Sequence, residues 1–149
     1  MNKQPELTDK LFVYGTLKRG FSRNSVLKDA EFLGNAKLYF NYFRMIDCGF
    51  FPALVKVDPR FSRKRYEISG ELYRITPEIL VETDIIEGYP SLYDRTEEIV
   101  TRVHPTDKTI DHFDMDWAWV YYWNRPDQEY ETIESGVWTK GLNYASNLQ

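Results

Sequence analysis

Cysteine and histidine are scarce in this chain. The single cysteine, Cys48, rules out an internal disulfide and fits a reducing compartment, so a cytoplasmic protein is expected. No histidine is placed to activate that thiol, which reads as buried and inert. The two histidines, His104 and His112, stand eight residues apart near Asp111, Asp114 and Asp116. That spacing matches no common metal-ligand pattern, so neither a metal nor a cofactor is expected. No apolar run approaches the roughly 20 residues of a membrane span. The first ten residues, Met1 to Lys10, are polar, lack a signal-peptide core and read as a loose arm. A net charge of −4 offers no electrostatic basis for binding nucleic acid. Ser135-Gly-Val-Trp138 is not the Gly-x-Ser-x-Gly elbow of hydrolases.

Aromatic residues are abundant. They make up 16% of the 149 residues, with eleven tyrosines and four tryptophans, which favours strands and an aromatic-lined pocket. Hydrophobic content of 42% against 28% charged is that of a folded chain with a core, and one domain over residues 1–149 is expected. Short apolar or alternating runs predict strands at Leu11–Tyr14, Glu31–Phe40, Tyr42–Ile46, Ala53–Val57, Tyr66–Ile75, Tyr93–Val103 and Trp117–Trp123. Gly70 inside one of them suggests a bulge or the close approach of another backbone. Ser22–Ala30 reads as a short helix; Phe61–Tyr66 and His104–Asp116 read as polar loops. The strands cluster without βα alternation. The expected class is therefore α+β: a small mixed β-barrel of about six or seven strands with two flanking helices.

The second helix has the plainest boundaries. Thr76 supplies an N-cap, Pro77 suits the first helical position, and Glu78 adds an early acid. The helix is expected to run from Pro77 to Glu87 and stop at Gly88, with Pro90 preventing re-entry. At about 100° per residue, Ile79, Thr83 and Ile86 share one side. Glu87 falls between Leu80 and Thr83, at the margin of that stripe, while Glu78 and Glu82 point away. A carboxylate at the negative end of a helix, turned inward, has its pKa raised towards the range of general acid–base work. An ion pair with a nearby arginine such as Arg95 is the plainer alternative.

The other candidate is the loop Gly15-Thr-Leu-Lys-Arg-Gly20, which follows the apolar run Leu11-Phe-Val-Tyr14. A glycine after a buried strand lets successive backbone N–H groups face one concavity, the arrangement that holds anions. The loop lacks both the Gly-Lys-Ser/Thr ending of a Walker loop and the spacing of a dinucleotide fingerprint. A simple strand-to-loop turn is the alternative. Lys18 and Arg19 would either help attract an anion or stand solvated.

Val13-Tyr-Gly-Thr-Leu-Lys-Arg-Gly20 resembles the N-terminal signature of the gamma-glutamylcyclotransferase superfamily, in particular its gamma-glutamylamine cyclotransferase branch. Asp84-Ile-Ile-Glu87 through Pro90-Ser-Leu-Tyr-Asp-Arg-Thr96 resembles the segment that carries the catalytic glutamate of that family. Trp119-Val-Tyr121 and Gly141-Leu-Asn-Tyr144 resemble its late core strand and C-terminal motif. The resemblance implies a small mixed barrel and a cofactor-free enzyme. Such an enzyme closes 5-oxoproline by attack of a gamma-glutamyl substrate's own alpha-amine and releases a free amine. It implies Glu87 as the proton carrier and the amides of Gly15, Thr16 and Leu17 as the seat of the glutamyl group. Tyr14, Tyr93, Tyr121 and Tyr144 would line the pocket or pack the core. The partner expected is a small gamma-glutamyl molecule, with no nucleic acid or membrane. A member that keeps the fold and merely binds a small carboxylate is the alternative. Arg60–Tyr66 and Lys108–Asp116 have no counterpart and are expected to shape the amine side.

Overall fold

The structure is a computed structural model that describes residues 9–58, 60, 63–104, 110–125 and 129–142, with the backbone alone at 110–113. Most of the expected N-terminal arm, Phe61, Ser62, 105–109 and the Asn143-Tyr144 half of the C-terminal motif lie outside those residues. Seven strands are present among the described residues: β1 (Asp9–Val13), β2 (Glu31–Leu38), β3 (Phe43–Asp47), β4 (Pro52–Lys56), β5 (Ser69–Ile75), β6 (Tyr93–Val103) and β7 (Ile110–Trp123). Five of them close into a barrel in the order β1-β5-β2-β6-β7. Its pairings are antiparallel except at the seam, where β1 meets β7 in parallel with Leu11 opposite Trp119. β3 and β4 form a separate antiparallel hairpin.

Alternation along β1 sorts the core into two clusters. Phe12 and Tyr14 join Leu38, Leu72, Val100 and Val120, while Leu11 and Val13 join Tyr73, Ile75, Tyr93 and Tyr121. That is the period of two by which a strand sends successive side chains to opposite faces. The helix α1 (Pro77–Glu87) covers the second cluster with Ile79 and Thr83. Its ends are as the sequence predicts. Thr76 Oγ1 accepts from the N–H of Ile79, Pro77 leads the first turn, and Gly88 ends the helix in the left-handed region at φ 66°.

Four expectations need correction. Asp9 and Lys10 belong to β1, paired with Ile75 and Arg74, and not to a loose arm. Ser22–Ala30 is no α-helix; only a 3-10 turn at Asn24–Leu27 forms, so α1 is the sole α-helix among the described residues. Arg23 provides no side-chain cap there, and Asn24 spends its amide on the Leu17 carbonyl and the Tyr73 hydroxyl. Short polar side chains that bond elsewhere compete with helix formation in this way. The stretch expected as a loop up to Asp116 is strand from Ile110 on, with Asp116 opposite Val100. Its acids are tolerated because Asp114 pairs with Arg102 and Asp116 with Lys10. Lys18 is neither solvated nor aimed at an anion, and Arg19, though exposed as expected, is tied to Glu71. Lys18 is buried and donates to the Trp138 carbonyl at 2.9 Å, and Arg19 binds the buried Glu71 through its backbone N–H and Nε.

Gly70 is where a close approach matters most. A Cβ there would stand 2.3 Å from the Val13 carbonyl oxygen and 2.8 Å from Phe12 Cζ, so β1 and β5 have room for hydrogen only. Gly70→Ala is expected to cost about 2–3 kcal/mol, the cost of overpacking with a backbone atom in the way. Urea denaturation measures it; a variant as stable as the parent would show that the strands do not approach so closely.

Candidate active site

One cavity of about 100 Å³ opens where the loop after β1 faces the C-terminal end of α1. Tyr14, Gly15, Thr16, Leu17, Glu87, Tyr93 and Tyr121 all line it, so the structure brings the loop, the helix-end glutamate and three of the four named tyrosines together; Tyr144 lies outside the described residues. Phe12, Val13, Arg23, Phe51, Pro52, Ile86 and Leu92 complete the lining. No described residue of the 60–66 or 108–116 segments contributes to it.

The loop is held from behind. Lys18 N–H closes a turn onto the Gly15 carbonyl, Arg23 N–H donates to the Thr16 carbonyl, and Asn24 binds the Leu17 carbonyl. These bonds use the carbonyls. Among the described residues, the N–H groups of Gly15, Thr16 and Leu17 meet no acceptor. Gly15 and Leu17 are buried, and buried N–H groups are rarely left unpaired, so an acceptor in the cavity would satisfy them. Gly15 is required by contact. A Cβ there would stand 2.7 Å from Pro52 Cγ, and Pro52 is itself fixed by a 2.7 Å bond from the Tyr93 hydroxyl to its carbonyl.

Two carboxylates three residues apart on α1 have opposite surroundings. Asp84 accepts two bonds from Arg95, from Nε at 2.9 Å and Nη2 at 3.3 Å. It takes a third, at 2.6 Å, from the Tyr121 hydroxyl. Thr83 Oγ1 lies 2.8 Å from that hydroxyl and 3.0 Å from the Leu80 carbonyl oxygen, to which it donates. Arg95 stacks over the rings of Tyr89 and Trp119. The arginine expected beside Glu87 therefore serves Asp84 instead. Glu87 has no hydrogen bond or ion pair among the described residues. Its ordinary value of 4.5 is pushed up to about 7, chiefly by burial, with Arg23 pulling the other way.

The tyrosines remain protonated. Burial, with the charge of Glu87 adding, raises Tyr14, Tyr93 and Tyr121 well above the usual phenol range. Each hydroxyl donates within the protein: Tyr14 to the Tyr121 carbonyl, Tyr93 to the Pro52 carbonyl and Tyr121 to Asp84. All three line the cavity. Cys48 stays a thiol, pushed up to about 11 by burial. Sequence reasoning missed Arg23, Phe51, Pro52 and Leu92. Phe51 and Pro52 reach the cavity from the β3–β4 hairpin, distant in sequence, while Arg23 and Leu92 stand close to the loop and to Glu87 in sequence without a motif to mark them. No helix among the described residues is long and apolar enough to cross a membrane.

The closed barrel is a fold shared with known proteins. Residues 11–140 match the family described as gamma-glutamyl cyclotransferase, AIG2-like, and the chain belongs to that family. A Vibrio cholerae protein named "Putative gamma-glutamylcyclotransferase" is 28% identical over 128 residues, covering 86% of this chain and 93% of its own. The Escherichia coli gamma-glutamylcyclotransferase family protein YtfP is 24% identical over 129 residues, covering 87% and 95%. The crystal structure of a mouse AIG2-like protein superposes with a TM-score of 0.66 at 26% identity, over 82% of this chain and 81% of that one.

The raised Glu87 value sets a pH dependence of stability. Below about pH 4.5 the group is protonated whether the chain is folded or not. Between 4.5 and 7 the unfolded chain sheds the proton while the folded one keeps it, so stability falls as pH rises. Above 7 the folded protein carries the full cost of the buried charge. Glu87→Gln is therefore expected to stabilise the fold by on the order of 1–3 kcal/mol near pH 8, with the gain fading towards pH 4. Urea denaturation across that range reads it; a gain independent of pH would contradict the assignment.

Proposed function

We propose that the protein is a gamma-glutamylamine cyclotransferase that releases 5-oxoproline and a free amine from a gamma-glutamyl amide. The observation that carries this reading is one cavity holding an unpartnered, half-buried Glu87 carboxylate and three backbone N–H groups without acceptors. Family membership supports it.

The substrate supplies both reactants. Its alpha-amine attacks its own gamma-carbonyl carbon, a C–N bond closes the five-membered lactam, and the bond to the leaving nitrogen breaks. One proton must leave the attacking nitrogen and one must reach the departing nitrogen, and no water is consumed. Glu87, ionised, takes the first and returns it as the second. A group with a value near 7 performs both halves at neutral pH with little cost in either direction. The N–H groups of Gly15, Thr16 and Leu17 seat the glutamyl group, chiefly its carboxylate, deep among buried Tyr14, Leu17 and Tyr93. Holding amine and carbonyl near attack distance is itself worth up to ~7–11 kcal/mol in favourable intramolecular systems, which is why so spare a site suffices.

Glu87→Gln is expected to lower 5-oxoproline release by roughly 10²–10⁴-fold while the fold remains intact by circular dichroism. Wild-type kcat/KM is expected to rise with pH through about 7, because the base form of Glu87 is needed. The groups that face Glu87 are Arg23, which lowers that midpoint, and Tyr14, Tyr93 and Tyr121, which stay protonated. Mass spectrometry of a gamma-glutamyl amide panel supplies the measurement. Undiminished turnover by Glu87→Gln would sink the mechanism; a wild-type protein that binds the panel without turning it over would make it a binding member of the fold.

A further inference from the structure

We infer that Arg23 is the specificity-determining residue of this cavity, selecting leaving amines that carry a negative charge close to the amine. The inference rests on the cyclotransferase reading above and concerns the half of the substrate which that reading leaves open.

Arg23 joins the two halves of the site. Its backbone N–H donates to the Thr16 carbonyl at 2.9 Å, and its Nη1 donates to the carbonyl of Ile86, next to Glu87, at 3.4 Å. It is the one lysine or arginine among the described residues that line the cavity. The neighbouring cations are committed elsewhere: Lys18 to the Trp138 carbonyl, Arg19 to Glu71, Arg95 to Asp84. The Arg23 guanidinium forms no salt bridge among the described residues, and its single hydrogen bond is long. Most of its donor fork is unused, and the residue is exposed where it lines the cavity.

Depth assigns the fork to the leaving group. Tyr14, Leu17 and Tyr93 are no more than 6% exposed, whereas Leu92 is 36% exposed and Arg23 is exposed too. At about 10–15 Å³ for each water-sized position, the cavity takes on the order of seven to ten heavy atoms, which is the size of one glutamyl group. With that group seated on the loop amides, whatever lies beyond the scissile bond emerges past Glu87 at the rim. A planar guanidinium there pairs with a carboxylate through charge-assisted, paired hydrogen bonds and repels an ammonium. Water at the rim weakens both effects without removing them.

The test compares kcat/KM for 5-oxoproline release from three amides that share the glutamyl half. They are gamma-glutamylglycine (anionic leaving amine), gamma-glutamylethylamide (neutral) and the mono-gamma-glutamyl amide of ethylenediamine (cationic). Wild type is expected to favour the anionic amide over the neutral one by about tenfold and to handle the cationic one worst. Arg23→Gln is expected to bring that ratio close to one. Arg23→Glu is expected to invert the order. Both variants will also lose rate on every substrate through Glu87, so the ratio is the readout. Equal losses on all three amides would mean that Arg23 acts only on the glutamyl half or on Glu87, and would overturn the inference. A wild type that turns over all three alike would overturn it too, while leaving the cyclotransferase reading standing. No turnover of any amide would remove both.

Discussion

The hydrogen bond from the buried Tyr14 hydroxyl to the Tyr121 carbonyl, 2.7 Å long, is the contact on which the site depends. It lies at the seam where β1 meets β7 in parallel, the one pairing of the barrel in which sequence-distant strands run the same way. Losing one partner of a buried hydrogen bond leaves the other with a desolvation cost of about 1–3 kcal/mol, so the register at this seam is well determined. Once β1 is fixed there, the chain leaves the barrel at Gly15 directly beneath Pro52, and the loop has little freedom in where its N–H groups lie. Tyr121 in turn reaches α1 through Asp84 and Thr83. One seam thus sets both walls of the cavity, the loop on one side and the helix end on the other.

Asp84 and Glu87 put two carboxylates with opposite surroundings at one helix end. Asp84 is held by a forked arginine and a tyrosine, with Arg95 itself sandwiched by aromatic rings. That network locks α1 against β6 and β7. Glu87, one turn on, receives no such partner and faces apolar and aromatic walls. Separating the environments of neighbouring acids is how a site keeps one group structural and frees another for proton transfer. The cost of an unpartnered charge is the sort of local instability that functional sites retain.

How much of this was legible in sequence followed the range of the forces involved. The ends of α1 were readable to the residue, because Thr76, Pro77 and Gly88 act within a few positions of themselves. The inward turn of Glu87 was readable from helical phase, and the resemblance supplied the barrel and the pairing of Glu87 with the Gly15–Leu17 loop. Long-range commitments were hidden. Lys18 and Arg19 looked like loop cations until Trp138 and Glu71, far along the chain, claimed them. Arg95 looked like a partner for Glu87 because both lie near the helix end, yet strand β6 delivers it to Asp84. The start of β7 was missed because alternating aspartates read as a loop, and only the pairing cations Arg102 and Lys10 make them compatible with a strand. Arg23 carried no signal at all, being one polar residue in a run that looked like a helix start.

The proposed reaction accounts for the small size of the cavity. An amide that is cleaved by its own amine needs no room for a second reactant, and a water admitted beside Glu87 would compete with the amine for the carbonyl. Tyr14, Tyr93 and Tyr121 line the cavity while spending their hydroxyl protons on the protein, so they would add no proton donor to disturb the proposed transfer at Glu87. Burial then does two things at once. It holds Glu87 near neutrality, where giving and taking a proton are nearly balanced, and it strengthens the unpaired N–H groups of the loop by removing solvent from around them. A larger or wetter cavity would lose both effects together. The constraint therefore falls on the walls as much as on the glutamate, and Gly15 under Pro52 is the point at which the fold enforces it.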